Sequence, residues 1–358
     1  MLARGCKRQL FVLSFCSPFG SYKDTRSQLI SVYLMNATLR RLGRSDLQIS
    51  AIGLGCWQFS KQNGLVGKYW PILTNEDTNE IVKASIDGGI NWFDTAEIYG
   101  NGKSEQGLAN ALKKTGLRSD EIIIATKWWP IGRRASSIKR TIHKRLDNLD
   151  GYPITLHQVH NPFGFSSVEK EMNAMADLIE DGKIKHIGVS NFSSNKMKRA
   201  YEALDKRGHK LVSNQVVYSI LNRKIESNGI METAKELGVT IIAYSPLSQG
   251  LVSGKFHQDQ ELIKKRTGSR KHMNKFKKNG LIKSQPVIDK LKTVAEDYNA
   301  TPSQVALNWL ISFHGDMVVA IPGATKIRQA EDNTCAMNFT LSNEHLNMLD
   351  RVSASYKL

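Results

Sequence analysis

The sequence predicts an α/β fold: a (β/α)8 TIM barrel with an N-terminal β-hairpin and extra C-terminal helices. Short runs that are almost wholly apolar and β-branched, as strands buried on both faces must be, alternate eight times with longer helical stretches. The helical stretches close on glycines or charged turns, as at Asp87-Gly-Gly89, Asp181-Gly182 and Leu237-Gly238. At 358 residues the chain is long for an ordinary domain, yet barrels of this kind reach that size as one unit. The expected barrel occupies residues 35–358, behind a dispensable tail of residues 1–34.

The tail is basic, and its one apolar run, residues 10–16, falls short of the ~20 apolar residues a membrane span requires. No A-x-A-like cleavage site follows, which leaves a weak transit peptide or a start near Met35 as its readings. Residues 39–42 and 47–50 flank the turn-forming stretch Gly43-Arg-Ser-Asp46 and predict the hairpin. The barrel then opens with a strand at 50–55 and a helix at 76–87. The second strand, 91–96, is an apolar pair with a short polar tip, and Gly100 and Gly102 break the chain before a helix at 104–114. Strands at 121–127, 154–160, 186–190 and 212–218 are followed by helices at 136–149, 168–181, 195–206 and 229–237. The last two units pair a strand at 240–246 with a helix at 302–313, and a strand at 317–322 with a helix at 326–336. A long insert at 255–282, a helix at 285–299 and a terminal helix at 343–353 depart from the repeat.

Composition removes several function classes. Cys6, Cys16, Cys56 and Cys335 form no C-x-x-C pair, so neither a disulfide scaffold nor a zinc ribbon is indicated, and a reduced cytoplasmic setting is expected. The formal charge of +17 is concentrated: residues 255–283 carry ten Lys/Arg against Asp259 and Glu261, and residues 1–34 carry five against Asp24. No zinc-finger, RRM or basic-zipper pattern accompanies it, so nucleic acid is not an expected partner. A solvated charged loop, or a cationic cover over a phosphorylated cofactor, explains the insert instead. No segment is apolar enough to span a membrane, and the oligomeric state stays open.

In a barrel, ligands bind where the strands end at their C-terminal edge. Those ends carry Trp57, then Asp94 and Tyr99, Lys127, His160, Ser190 with Asn191, Gln215, the 244–247 stretch, and the 323–333 stretch. A lysine inside a barrel mouth needs a counter-charge, and Asp94 on the adjacent strand is the expected partner. The pair would act on Tyr99, whose phenol otherwise titrates near ~10. Each residue alone has a packing explanation, but four such groups on three successive strand ends favour chemistry. Gly53-Leu-Gly55 lacks the third glycine of a Rossmann fingerprint, and Gly102-Lys-Ser104 lacks the first glycine of a P-loop. His157 and His160, three apart on a strand, point to opposite faces, so no metal is expected.

These residues resemble the aldo-keto reductase superfamily, from about residue 39 to 353. The likeness rests on Gly53-Leu-Gly55 with Trp57, residues 91–100, Ala125-Thr-Lys127, Gln158-Val-His160-Asn-Pro162, Gly188-Val-Ser-Asn-Phe192, Asn214-Gln215, Ala243-Tyr-Ser-Pro-Leu247 and Ile321-Pro-Gly-Ala324. It implies reversible reduction of aldehydes or ketones by NADPH, with Asp94, Tyr99, Lys127 and His160 as the catalytic four. Tyr99 would be the acid, Lys127 would lower its pKa, Asp94 would hold Lys127, and His160 would orient the carbonyl. Ser190, Asn191 and Gln215 would take the nicotinamide carboxamide, with Tyr244 stacked on the ring and Trp57 and Asp94 beside it. Ser245, Pro246, Leu247, Gln249 and Lys255 would run along the pyrophosphate. Gly323, Thr325, Gln329, Asp332 and Asn333 would hold the adenosine end, where Lys326 and Arg328 favour NADPH over NADH. Trp57, Tyr99, Trp128, His160 and Asn161 would contact the substrate.

Two departures from the family pattern are visible: Thr155-Leu-His157 replaces an Asp-Leu-Tyr-like stretch, and Asn161 stands where many members carry an aromatic. The alternative is a non-catalytic, NADP(H)-binding regulatory barrel resembling potassium-channel β subunits, in which the position of His160 is usually replaced. A barrel hydrolase would want a second carboxylate, and Glu97 is the spare candidate.

Overall fold

The computed structural model describes residues 39–64 and 69–357, so the expectation about residues 1–34 lies outside the described residues. Strands β1 (Leu39–Arg41) and β2 (Gln48–Ser50) pair antiparallel as the expected hairpin. Eight parallel strands follow in chain order: β3 (Leu54–Gly55), β4 (Trp92–Asp94), β5 (Ile123–Trp128), β6 (Ile154–Val159), β7 (Ile184–Ser190), β8 (Leu211–Val217), β9 (Thr240–Tyr244) and β10 (Val318–Ala320). The sheet closes on itself, because Ile52 bridges Ala320 and Gly55 bridges Gly323. The Gly53 and Gly55 N–H groups donate to Ala320 O at 2.8 Å and Pro322 O at 3.1 Å.

Strand alternation divides the interior. Trp92, Ala125, Leu156, Val212, Ile242 and Val319 point inward and pack on Leu42 and Ile49 of the hairpin, which plugs the barrel floor. Phe93, Ile124, Val159, Val189 and Ile241 point outward into the layer between sheet and helices. Each such side chain contributes about 1.5–3 kcal/mol when fully buried. That outer layer is completed by α1 (Asn75–Asp87), α2 (Lys103–Thr115), α3 (Ser136–Leu149), α4 (Val168–Glu180), α5 (Ser194–Asp205), α6 (Ile230–Leu237), α7 (Lys278–Asp297), α8 (Pro302–Ser312), α9 (Ile327–Cys335) and α10 (Asn343–Val352). Thr74 and Thr301 close reciprocal capping boxes at the starts of α1 and α8, with Asp77 and Gln304 returning the bond.

The insert differs from a solvated loop. Leu251, Phe256, Phe276 and Leu281 form a small core of their own, and the chain between them folds into short helical turns. Helix α7 starts at Lys278 rather than 285, because Leu281 and Ser284 already face inward. Pro286 cannot supply the N–H that the Ile282 carbonyl would accept, and Ile282, 61% exposed, lies on the solvent side of the helix.

Candidate active site

Period-two alternation sets what each strand end offers the cavity. On β5, Ala125 and Lys127 face inward, whereas Ile124, Thr126 and Trp128 face the helices. On β6 the inward residues are Leu156 and Gln158, with His160 just past the end. On β8 the register slips by one residue where Ile187 faces Leu211 and Gly188 faces Ser213. This bulge turns Asn214 out towards α5, where it bonds Phe192 O at 3.0 Å, and turns Gln215 in.

Lys127 and Asp94, both buried, form an ion pair, and the ammonium also donates to Thr95 O at 2.9 Å. The other carboxylate oxygen, Oδ2, accepts from Gln215 Nε2 at 2.8 Å and Gln158 Nε2 at 3.2 Å. Tyr99 sits on the turn after β4 with its ring centroid 5.2 Å from the Lys127 ammonium. Trp57 stacks on it at 5.6 Å and 20°, and the His160 ring meets it edge-on at 5.6 Å. The turn is fixed by Gly100 at φ +66, where an added Cβ would lie 2.3 Å from Ser60 O.

Burial pulls the Lys127 ammonium below the usual lysine range, and the Asp94 carboxylate opposes that pull. Burial, then the Asp94 carboxylate, pushes the Tyr99 phenol well above its ordinary value, contrary to the expectation that Lys127 lowers it. His160 is held neutral, first by burial and then by Lys127, and its Nδ1 is buried without a hydrogen-bond partner.

Asp94, Tyr99 and His160 floor a cavity of about 1070 Å³ that runs from the aromatic end of the mouth to α9, with Lys127 buried behind them. Ser190, Asn191, Gln215 and Tyr244 line its middle. Asn191, at φ +60, is bonded by the Tyr244 hydroxyl at 3.0 Å and donates to Ser190 Oγ at 3.1 Å. Ser245, Pro246, Leu247, Gln249 and Lys255 line the next stretch, with positive φ at Ser245, Ser248 and Gln249 bending the backbone around it. Gly323, Thr325, Gln329, Asp332 and Asn333 line the far end, where the Asn333 Nδ2 is buried without a partner. Gly323 packs against the Gln58 side chain so tightly that a Cβ would fall 2.1 Å from its Nε2.

Trp57, Tyr99, His160 and Asn161 reach the cavity as expected, but Trp128 does not. Its indole N–H donates to Ser137 Oγ on α3 at 3.1 Å, and the residue one further along, Trp129, lines the cavity instead. Alternation counted on from Lys127 identifies Trp129, and counted back from His160 it identifies Gln158. Glu97 is committed elsewhere: it accepts from Trp129 N–H, Arg133 and Arg145. Arg266 and Arg270 of the insert also line the cavity; Arg266 lies over Phe276 at 4.2 Å, and Arg270 over Trp70 at 4.2 Å. The insert is tied to the first strand's loop, since Gln249 Nε2 donates to Tyr69 Oη at 2.6 Å and Thr267 Oγ1 donates to Tyr69 O at 3.3 Å.

A closed parallel barrel carries this ion pair, phenol and imidazole at its C-terminal mouth, the architecture of a barrel protein with a titratable site. The chain belongs to the aldo/keto reductase family, whose model matches residues 51–354. It is similar to an uncharacterized oxidoreductase of Mycobacterium tuberculosis, Rv2298, at 36% identity, covering 87% of this chain and 91% of that one. The solved thermostable aldo-keto reductase Tm1743, in complex with the inhibitor epalrestat, is 30% identical with a TM-score of 0.70, over 88% of this chain and 99% of that one. An aldo-keto reductase from Klebsiella pneumoniae in complex with NADPH is 25% identical with a TM-score of 0.67, over 88% and 95% of the two chains.

Among the described residues no helix is long and apolar enough to cross a membrane, and no group of three or more His, Cys, Asp or Glu is placed to hold a metal ion.

Proposed function

We propose that the chain reduces aldehydes and ketones to alcohols, reversibly, with NADPH as the hydride source and Tyr99 as the proton donor. The observation that carries this reading is the Asp94–Lys127 pair beneath Tyr99 and His160 at the floor of one cavity.

The cavity residues fit a nicotinamide dinucleotide. Ser190, Asn191 and Gln215 offer amide and hydroxyl groups for a carboxamide, and the Tyr244 ring offers a stacking face, with Trp57 beside it. Ser245 to Leu247, Gln249 and Lys255 suit a pyrophosphate, and Gly323, Thr325, Gln329, Asp332 and the unpaired amide of Asn333 suit an adenosine. Lys255, Arg266, Arg270 and Lys326 line this half, and among the described residues none forms an ion pair with a carboxylate. Arg266 is pushed down to about 10, by burial and then by Arg270, and Lys255 is lowered by burial and then by Arg266. Such uncompensated charge favours the extra phosphate of NADPH, the cofactor named in the Klebsiella complex.

A reduced nicotinamide held by these residues would supply hydride to the carbonyl carbon. Negative charge then grows on the carbonyl oxygen, and the chain's groups must meet it. Tyr99 keeps its proton through the neutral range and gives it up to an alkoxide, a far stronger base than a phenolate. His160, neutral, orients the oxygen by hydrogen bonding. Lys127 steadies the phenolate left behind, and Asp94 keeps Lys127 charged while Gln158 and Gln215 keep Asp94 in place. Replacing Tyr99 with Phe should lower carbonyl reduction by roughly 10²–10⁴-fold while NADPH still binds; retained turnover would sink the assignment.

A further inference from the structure

We infer that the chain carries a second binding site, apart from the dinucleotide cavity, for a small phosphate monoester. A cavity of about 400 Å³ lies between the ends of β8 and β9, the insert, the first turns of α7 and the C-terminal segment. Of the residues lining it only Ser245 also lines the larger cavity, so the two are separate. Its size is that of a site for a small organic ligand rather than a bare oxyanion. One glycine builds it. Gly280 stands in the first turn of α7, where an added Cβ would lie 2.4 Å from Asn274 O and 2.7 Å from the Lys275 Cα. With hydrogen there instead, the 274–275 backbone packs directly on the helix and sets Lys275 beside its N-terminal end.

The charge on this wall is all of one sign. Lys275 and Lys283 line the cavity, and among the described residues no Asp or Glu lines it and neither lysine is paired with a carboxylate. Burial, then Arg266, pulls the Lys275 ammonium down to about 8, with no carboxylate opposing. Lys283 lies over the Tyr356 ring at 4.8 Å. On the β8 and β9 side, the buried hydroxyls of Ser219 and Ser248 bond each other at 2.9 Å. One proton makes that bond, and the other has no acceptor among the described residues, which leaves a buried donor on the cavity wall. The first turn of α7 has no side-chain cap, and its Asn279 and Gly280 line the cavity, so helix N–H groups add to the donors. Two point charges, a hydroxyl proton and N–H groups, with no guanidinium fork among them, suit a phosphoryl dianion. The amides of Asn222 and Asn274 can take further ester oxygens, and Val217, Leu221 and Leu251 give a short carbon body an apolar wall.

The test titrates glycerol 2-phosphate into the full chain by calorimetry, with and without saturating NADPH. Binding of one ester per chain is expected in both cases. No binding at millimolar ester would overturn the inference, and so would binding that NADPH abolishes, since the ester would then sit in the larger cavity. Inorganic phosphate and citrate should each bind more weakly than the ester; equal affinity for either would reject the monoester assignment. Lys275→Met and Lys283→Met should each weaken ester binding by about tenfold or more. Lys264→Met, which removes an exposed ammonium of the same insert, should leave it unchanged. Affinity retained in both cavity variants would overturn the inference. Acetic anhydride labelling of the unaltered chain reads the contact without any substitution: the ester should protect Lys275 and Lys283 but not Lys264, as resolved by mass spectrometry. Equal labelling of Lys275 and Lys283 with and without ester would sink the site.

Discussion

Asp94 spends both oxygens on the chain itself, one on Lys127 and the other on Gln158 and Gln215, so no lone carboxylate is left to move a proton. On the proposed reading the phenol is the carrier, and it gives the pH profile its shape. Because Tyr99 is held above its ordinary value of 10.0, carbonyl reduction should stay level through neutral pH and fall only beyond that value. Alcohol oxidation, which needs the phenolate, should still be rising there, and a profile of kcat/KM for each direction checks both. A different carboxyl sets a stability dependence: Glu171 on α4 is buried, has an unpartnered Oε1, and is pushed up to about 7 by burial, with Lys196 opposing. Its folded value exceeds its unfolded one, so the stability it contributes is full below about 4.5 and is lost as pH rises through about 7. Glu171→Gln should therefore stabilise the fold by roughly 2–3 kcal/mol at pH 8 and by little at pH 4.5, measured by urea unfolding. The four proposed catalytic residues were legible at this scale because each closes or follows an apolar run. Trp128 falls on the helix side because strand alternation puts it opposite Lys127, and the bulge that aims Gln215 inward leaves no mark on a single sequence.

The β4–α2 turn is the element on which the site hangs. Behind it, Glu97 and Glu105 share Arg145 of α3, whose Nε donates to Glu105 Oε2 at 2.9 Å, while Asn148 Nδ2 adds a bond to the same oxygen at 2.8 Å. Removing the shared cation leaves the buried Glu105 carboxylate without a positive partner, while Glu97 keeps Arg133. Arg145→Met should cost about 3–5 kcal/mol of unfolding free energy and lower kcat through Tyr99, both measurable on one preparation. Gly100→Ala should act through geometry alone, since its positive φ and the Ser60 carbonyl 2.3 Å from an added Cβ force the turn to shift. Its expected signature is a large loss of turnover with NADPH binding retained. Element boundaries were legible unevenly. Helix α3 falls where expected, at Ser136–Leu149, because its apolar period is clean. The expected strands at 91–96 and 317–322 overshoot β4 and β10, although single bonds to the neighbouring strand continue past both, from Thr95 N–H to Ala125 O at 2.8 Å and from Ile321 N–H to Ala243 O at 3.0 Å. The start of α7 was hidden by lysines that mask its inward positions.

For the whole molecule, the net charge of +17 acquires a location and a task. Composition alone left the 255–283 excess divided between a solvated loop and a cofactor cover; the small core around Phe256 and Phe276 holds Arg266 against the cavity and favours the latter. Arg266→Ala and Arg270→Ala should weaken NADPH binding by about tenfold or more and NADH binding far less, and the difference should shrink as salt rises. Equal losses for both cofactors at every ionic strength would reject that assignment. Arg270 has a second attachment, for it lies over Tyr69 and Trp70, and Tyr69 also receives Gln249 from across the channel. On the proposed function, the wall that would greet the incoming carbonyl is thus also the latch over the nucleotide. Loosening one to admit a larger guest loosens the other, so an engineer who widens this doorway should expect the dinucleotide to leave sooner and turnover to become limited by its re-entry.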